Sequence, residues 1–197
     1  MEYKAVIWDL DGTLYDKSRI ALYLVLNQLP KGKLFMLGRE RSMRKRMKGM
    51  EFGTEKVFYD TFFGMGISRK WYFEDYLPSM VKIIRKHYRV FPWVEELFRD
   101  LRSRGVKQAV LSDYGFVKEK LEAIGFEPSW ADMLADAPSY GCLKPSPRPF
   151  LAIADALGVK PSECLVIGDR PDTDGEGAAA AGMDFVHLAD IKTVPKI

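Results

Sequence analysis

The chain has 197 residues, a length typical of one domain that buries its own core without disulfide bonds. Apolar residues make up 47% of the chain and charged residues 29%, and this balance excludes disordered and fibrous proteins. The net charge of +3 is too small to indicate a nucleic-acid or membrane partner by itself.

The cysteine content and the hydropathy pattern bear on the cellular compartment. The two cysteines, Cys142 and Cys164, are too few for a disulfide framework, which fits a reducing compartment. No apolar run approaches the ~18 residues of a membrane span. Asp9 and Asp11 interrupt the first apolar run, so we expect no signal peptide. The sequence therefore predicts a cytoplasmic protein with no membrane partner.

The chain opens with a short apolar run, residues 3–8, that leads into Asp9 and then into Asp11-Gly12, a strong turn signal. Near-continuous apolar runs of this length predict buried strands of a parallel sheet. Further runs of this kind, the last one weaker, cover residues 106–111, 164–167 and 185–188.

Helical segments separate the predicted strands, and a glycine follows each of them. The predicted helices cover residues 94–103, 116–124, 149–157 and 174–181. Strands that alternate with helices favour an α/β fold, here a Rossmann-like parallel sheet with right-handed crossovers.

Residues 16–89 break this alternation, because their periodicity is helical throughout. We predict an inserted helical cap domain over this stretch and a core domain made of residues 1–15 and 90–197. Aromatic residues crowd the second half of the cap, and we expect most of them to form its own core or its contact with the sheet. They are Phe58, Tyr59, Phe62, Phe63, Trp71, Tyr72, Phe73 and Tyr76.

Four groups of polar residues lie at or just after predicted strand ends, where open α/β sheets bind their ligands. They are Asp9-Leu10-Asp11-Gly12-Thr13, Ser112-Asp113, Lys144-Pro145, and Gly168-Asp169 followed by Asp172 and Asp174. Each group alone is more often a turn, a helix cap or a surface lysine. Their joint occurrence in this order indicates a catalytic site.

These four groups resemble the motifs of the haloacid dehalogenase superfamily, and the likeness spans nearly the whole chain. The inserted helices are similar to the small cap of many members, including the phosphoglycolate phosphatases. The resemblance implies a Rossmann-like core, a Mg²⁺ ion and a covalent aspartyl-phosphate intermediate. It thus implies a Mg²⁺-dependent phosphatase of small phosphorylated metabolites. A phosphomutase is the nearest alternative, because its motifs are the same.

The resemblance also assigns catalytic roles. Asp9 would be the nucleophile, and Lys144 would offset the charge on the phosphoryl group. Asp11 would protonate the leaving alcohol and later deprotonate water, which calls for a raised pKa. Family members that dehalogenate or pump ions lack an aspartate at this position, so Asp11 favours a phosphatase or a phosphomutase.

Mg²⁺ prefers oxygen ligands in octahedral geometry. The resemblance places the ion on Asp9, Asp169 and Asp174, with Asp11 contributing its backbone carbonyl. Asp172 could also be the second acid of the last motif, but the spacing of Asp174 matches the family better. The substrate phosphate is expected to contact Thr13, Ser112, Asp113 and Lys144.

Residues 31–48 hold eight basic residues and one acidic residue, a net charge of +7 against −4 for the rest of the chain. This stretch could be a solvated helix face, or it could overhang the site and attract a polyanionic or carboxylated phosphate. A third reading is a nucleic-acid patch beside a vestigial phosphatase site. The acid pair Asp9 and Asp11 counts against that reading. The sequence indicates no oligomeric state.

Overall fold

Parallel strands form one five-stranded sheet in the order β3-β2-β1-β4-β5 in this computed structural model, which describes residues 3–193. In chain order, β1 to β5 are Ala5–Asp9, Lys107–Ser112, Met133–Asp136, Cys164–Gly168 and Asp184–His187. The predicted α/β fold with a Rossmann-like sheet is therefore confirmed. The sequence missed β3, because this short strand at the sheet edge is only partly buried and has a brief apolar run.

The central strand β1 is buried on both faces because its side chains alternate between two layers. Trp8 packs on Phe98 in one layer, with ring centroids 4.9 Å apart. Ile7 lies in the other layer, in the same apolar cluster as Phe150. The carboxyl end of β1, Asp9, is therefore flanked by apolar layers on both faces of the sheet.

The helices of the core follow the predictions closely. They are α6 (Val94–Ser103), α7 (Val117–Ile124), α8 (Arg148–Leu157) and α9 (Glu176–Ala180). The predicted helix over 174–181 is wrong in its first turn, where Pro171–Gly175 forms a π-helical turn instead. There the Asp174 carboxylate accepts a hydrogen bond from the Arg170 backbone N–H at 3.2 Å and contacts Lys144, so the turn is shaped by the site.

The segment between β1 and α6 is helical, as predicted. Its helices are α1 (Ile20–Gln28), α2 (Leu34–Met47), α3 (Glu55–Gly64), α4 (Arg69–Trp71) and α5 (Leu77–His87), with a π-helical segment, Tyr72–Tyr76, joining the last two. We refer to these helices together as the cap. None of the helices within residues 3–193 is both long and apolar enough to cross a membrane.

Aromatic side chains build the interior of the cap, which confirms the prediction made for them. Phe58 stacks on Phe62, with ring centroids 6.0 Å apart, and Trp71 stacks on Tyr76 at 4.9 Å. Their cluster is continuous with the apolar layer that contains Trp8. The cap and the sheet therefore share one hydrophobic core.

We expect Phe98→Ala to lower the free energy of unfolding by about 3–5 kcal/mol, because it leaves a cavity beside Trp8. Urea denaturation followed by tryptophan fluorescence measures this loss. Leu26→Ala is the control, since Leu26 is 56% exposed and its loss should change the free energy by about 0.5 kcal/mol or less. Equal losses in the two variants would contradict this account of the core.

Candidate active site

Asp9, the last residue of β1, is buried and held by two donors. The Thr13 hydroxyl donates to Asp9 Oδ2 at 2.9 Å, and Lys144 Nζ lies 2.6 Å from Asp9 Oδ1. The same ammonium group lies 2.6 Å from Asp174 Oδ1. Burial raises the pKa of Asp9 to about 6, an effect that Lys144 opposes and that the carboxylates of Asp174 and Asp11 strengthen. Lys144 thus bridges two buried carboxylates and fixes the orientation of Asp9.

The side chain of Asp11 makes a separate set of contacts. Its carboxylate accepts hydrogen bonds from Tyr15 Oη at 2.7 Å, from Ser112 Oγ at 2.8 Å and from Lys120 Nζ at 2.6 Å. Burial acts to raise the pKa of Asp11, but Lys120, Tyr15 and Ser112 together outweigh it and lower this pKa. The expected raised pKa of Asp11 is therefore wrong for this arrangement, because a buried lysine stabilises the charged form.

Lys120 and Tyr15 are site residues that the sequence analysis missed. Lys120 lies on the buried face of α7, together with Val117, Leu121 and Ile124. A lysine at an apolar helical position signals a buried charge that needs a partner, and this spacing could have revealed it.

Three carboxylates lie close enough together to hold a cation. Asp9, Asp169 and Asp174 each offer one oxygen, and these atoms lie within 4.8 Å of one another. Asp169 Oδ1 is buried and has no hydrogen-bond partner among the described residues. An unpartnered buried carboxylate oxygen is costly unless a cation or water satisfies it. Hard oxygen donors suit Mg²⁺, so the residues present fit this ion.

The backbone carbonyl of Asp11 is near this acidic group, whereas its carboxylate is engaged elsewhere. Lys17 Nζ lies 2.6 Å from the Asp11 carbonyl oxygen and 2.6 Å from Asp169 Oδ2. The two oxygens therefore face a common point. Any contribution of Asp11 to a cation site comes through this carbonyl.

The two candidates for the last acid occupy different environments. Asp174 is buried against Lys144. The side chain of Asp172 is half-exposed and accepts hydrogen bonds from Arg170 Nη2 at 2.7 Å and from Lys48 Nζ at 2.5 Å. Asp172 thus links the core to the cap at the protein surface. The geometry favours Asp174 as the member of the acidic group.

The residues predicted to bind phosphate are already engaged with other groups. The hydroxyl groups of Thr13 and Ser112 donate to Asp9 and Asp11. Asp113 Oδ1 accepts from the Lys144 backbone N–H at 2.9 Å. Burial raises the pKa of Asp113, although Lys144 opposes this. The Asp113 carboxylate therefore orients the Lys144 loop, and the contact of Asp113 with phosphate stays a prediction.

A cationic cleft lies between one face of α2 in the cap and the carboxyl edge of the sheet. Two cavities of about 260 and 270 Å³ meet here, and both are lined by Arg41, Tyr114 and Arg170. The first cavity also reaches Lys144, Asp113, Arg44, Lys45 and Lys48, and the second reaches Asp11, Tyr15 and Lys17. Part of the basic stretch therefore overhangs the site, one of the alternatives that the sequence left open.

Arg44 connects this face of α2 to the sheet. Its guanidinium is buried, pairs with Glu40 and donates to the Asp113 backbone carbonyl at 2.7 Å. It also lies 3.8 Å from the ring centroid of Tyr114. Arg44 is thus a structural contact between the cap and the loop that follows β2.

The sheet order and the acidic group at its carboxyl edge define an α/β enzyme. The chain belongs to the haloacid dehalogenase-like hydrolase family, whose sequence model matches residues 3–182. The predicted family membership is therefore confirmed.

Curated relatives and a solved structure agree with this family. The chain is 27% identical to a phosphoglycolate phosphatase of Aquifex aeolicus, over 91% of this chain and 81% of the relative. It is 29% identical to a glyceraldehyde 3-phosphate phosphatase of Methanopyrus kandleri, over 94% and 83%. The crystal structure of a HAD phosphatase from Thermococcus onnurineus superposes with a TM-score of 0.67 at 22% identity, covering 93% of this chain and 85% of that one. At that identity the superposition shows the shared fold.

We expect Mg²⁺ to raise the melting temperature of the wild-type protein, because it binds only the folded acidic group. Asp174→Asn should weaken Mg²⁺ binding by about tenfold or more. Asp172→Asn is the matched control and should keep the wild-type response. Thermal shift at increasing Mg²⁺ concentration measures both effects. A response that disappears in Asp172→Asn and persists in Asp174→Asn would reverse the assignment.

Proposed function

We propose that this protein is a Mg²⁺-dependent phosphatase that hydrolyses small phosphate esters through an aspartyl-phosphate intermediate on Asp9. It is a phosphoric monoester hydrolase of the cytoplasm, a location compatible with its two free, buried cysteines. The observation that carries the proposal is the Asp9 carboxylate, held by Lys144 and placed within one acidic group with Asp169 and Asp174.

The first half of the reaction would transfer the phosphoryl group to Asp9. One Asp9 oxygen forms a bond to phosphorus while the bond to the leaving oxygen breaks. Lys144 stays beside the reacting carboxylate and offsets negative charge on the phosphoryl oxygens. When bound, Mg²⁺ would neutralise further charge and orient the phosphate. Asp169 and Asp174 would hold the ion with Asp9.

The second half would release phosphate from Asp9 by attack of water. Asp11 is held as a carboxylate by Lys120, Tyr15 and Ser112, a state that can accept a proton from water. The first half needs the opposite state, in which Asp11 donates a proton to the leaving alcohol. A comparison of alkyl and aryl leaving groups in Asp11→Asn therefore tests the role of Asp11 in the first half.

The cationic cleft supports a substrate with a second anionic group. Within residues 3–193, Arg41 and Lys45 form no ion pair, although both line the cleft. Arginine binds carboxylate and phosphate groups through two parallel hydrogen bonds. We therefore propose a carboxylated or doubly phosphorylated small metabolite as substrate. Phosphoglycolate, named for the Aquifex relative, has this character.

The reaction is tested by phosphate release from an aryl phosphate with Mg²⁺, with a chelator and with Asp9→Asn. We expect turnover that needs the metal and that Asp9→Asn abolishes. Folded Asp9→Asn protein with wild-type turnover would refute the mechanism. Stimulation by a bisphosphate, with the phosphoryl group retained on the product, would indicate a phosphomutase. Salt-sensitive nucleic-acid binding that persists in Asp9→Asn would instead support the alternative of a nucleic-acid-binding protein with a vestigial phosphatase site.

Asp11→Asn should slow the hydrolysis of an alkyl phosphate more than that of a nitrophenyl phosphate. The alkyl leaving group needs a proton, whereas nitrophenolate leaves without one. General acid catalysis contributes roughly 10²–10⁴-fold, so we expect an extra loss in this range for the alkyl ester. Steady-state kinetics on both esters measure the difference. Unchanged hydrolysis of the alkyl ester would exclude Asp11 as the acid.

Arg41→Gln should lower kcat/KM for phosphoglycolate by about 10–100-fold, the loss expected for a charge-assisted hydrogen bond. The same change should have little effect on an alkyl phosphate that lacks a second anionic group. Arg46→Gln is the matched control, because Arg46 is exposed on the same helix and lines neither cavity. Equal losses on both substrates would contradict the second-anion proposal.

A further inference from the structure

The Lys17 ammonium group contacts the Asp169 carboxylate and the Asp11 carbonyl, two groups that would hold the metal ion. Its nitrogen atom is 2.6 Å from Asp169 Oδ2 and 2.6 Å from the Asp11 carbonyl oxygen. The family resemblance assigns the Asp169 carboxylate and the Asp11 carbonyl to the metal, but no motif of that resemblance includes Lys17. The ammonium group therefore occupies the position of a cation within the acidic group.

The turn after β1 is shaped to let Lys17 reach this point. Gly12 has φ +102°, a conformation that side chains rarely adopt. A Cβ atom there would lie 2.5 Å from Asp169 Oδ2 and 2.7 Å from Lys17 Nζ. The absent side chain at Gly12 thus leaves the space in which Lys17 and Asp169 meet.

An ammonium group between these two oxygens and a divalent ion bound to the same two oxygens would compete for one position. Mg²⁺ binds oxygen at about 2.0–2.1 Å in a nearly rigid octahedron, so both cations would lie within a few ångströms of each other. Their mutual repulsion disfavours a site that holds both cations. Metal binding is therefore expected to move the Lys17 ammonium group away from Asp169.

The second cavity of the cleft can accept the Lys17 ammonium group when it leaves Asp169. The Lys17 side chain is 35% exposed, and lysine carries its charge on a flexible four-carbon stem. Lys17 also lines the second cavity of the cleft, together with Ile20, Leu24 and Arg41. A rotation of the stem would place the ammonium group in this cavity, under the cap.

We propose that Lys17 is a tethered counter-ion that competes with Mg²⁺ for Asp169 and the Asp11 carbonyl. Mg²⁺ then replaces the Lys17 ammonium group at these oxygens, and the ammonium group moves into the cleft. This inference rests on the proposed function only in taking Mg²⁺ as the ion. The ion pair with Lys17 neutralises Asp169, and exchange for Mg²⁺ would move this positive charge into the cavity where substrate binds.

The test is isothermal titration of Mg²⁺ into the wild-type protein and into Lys17→Met. Methionine keeps the length of the side chain and removes its charge, so the variant should bind Mg²⁺ about three- to tenfold more tightly. Lys31→Met is the matched control, because Lys31 pairs with Asp75 at 2.5 Å and has a similar exposure of 39%, but contacts the cap alone. This control should keep the wild-type Kd.

A second measurement reports on Lys17 directly. Acetylation by acetic anhydride, quantified by mass spectrometry, should modify Lys17 faster in saturating Mg²⁺ than in chelator, because the ion frees the ammonium group from Asp169. The modification rate of Lys31 should not change. If the acetylation rate of Lys17 does not depend on Mg²⁺, the proposed exchange between Lys17 and the metal ion is wrong.

The titration separates this inference from the proposed reaction. An unchanged or weaker Mg²⁺ affinity in Lys17→Met, with Mg²⁺-dependent turnover intact in the wild-type protein, overturns the competition and leaves the phosphatase proposal standing. Absence of Mg²⁺ binding in both proteins overturns the competition and the metal requirement together. Circular dichroism of Lys17→Met confirms that each comparison is made on folded protein.

Discussion

Buried carboxylates at one edge of the sheet require cations buried with them, and most of the site follows from this requirement. Four of these carboxylates each have a lysine ammonium group 2.6 Å away: Lys144 contacts Asp9 and Asp174, Lys120 contacts Asp11, and Lys17 contacts Asp169. These lysines come from three separate segments of the chain. The acidic group therefore exists only when the core is assembled, and its charge balance ties the first strand, α7 and the Lys144 loop to one another.

The charge balance also explains why hydroxyl groups and amides in the site bond to protein atoms. Thr13, Ser112 and the Lys144 backbone N–H each donate to a carboxylate and so restrict its rotation. Carboxylates with fixed orientations present their remaining oxygens in fixed directions, which is what an octahedral ion needs. Because the side chains are already oriented in the folded protein, the free energy needed to order them is spent during folding and not during catalysis.

The cap shares its hydrophobic core with the sheet, and its helix α2 places further charged side chains above the site. A buried ion pair between Arg44 and Glu40 anchors α2 at the Asp113 carbonyl, which lies one residue beyond β2. The neighbouring residues on that face, Arg41 and Lys45, are left facing the cleft. The cleft is therefore positive above a negative acidic group, an arrangement that attracts an anionic substrate towards a cation-binding edge.

The sequence by itself determined the alternating α/β elements, the helical cap and the positions of Asp9, Asp169 and Asp174 at or after strand ends. It could do so because hydrophobic periodicity and turn residues act over a few neighbours. The aromatic interior of the cap was predictable for the same reason. The strand β3 escaped prediction, since its pairing with β2 comes from the sheet rather than from its own residues. The tertiary structure alone decided the lowered pKa of Asp11 and the position of Lys17. Both depend on lysines and backbone atoms that long-range packing brings together in a buried site of low dielectric.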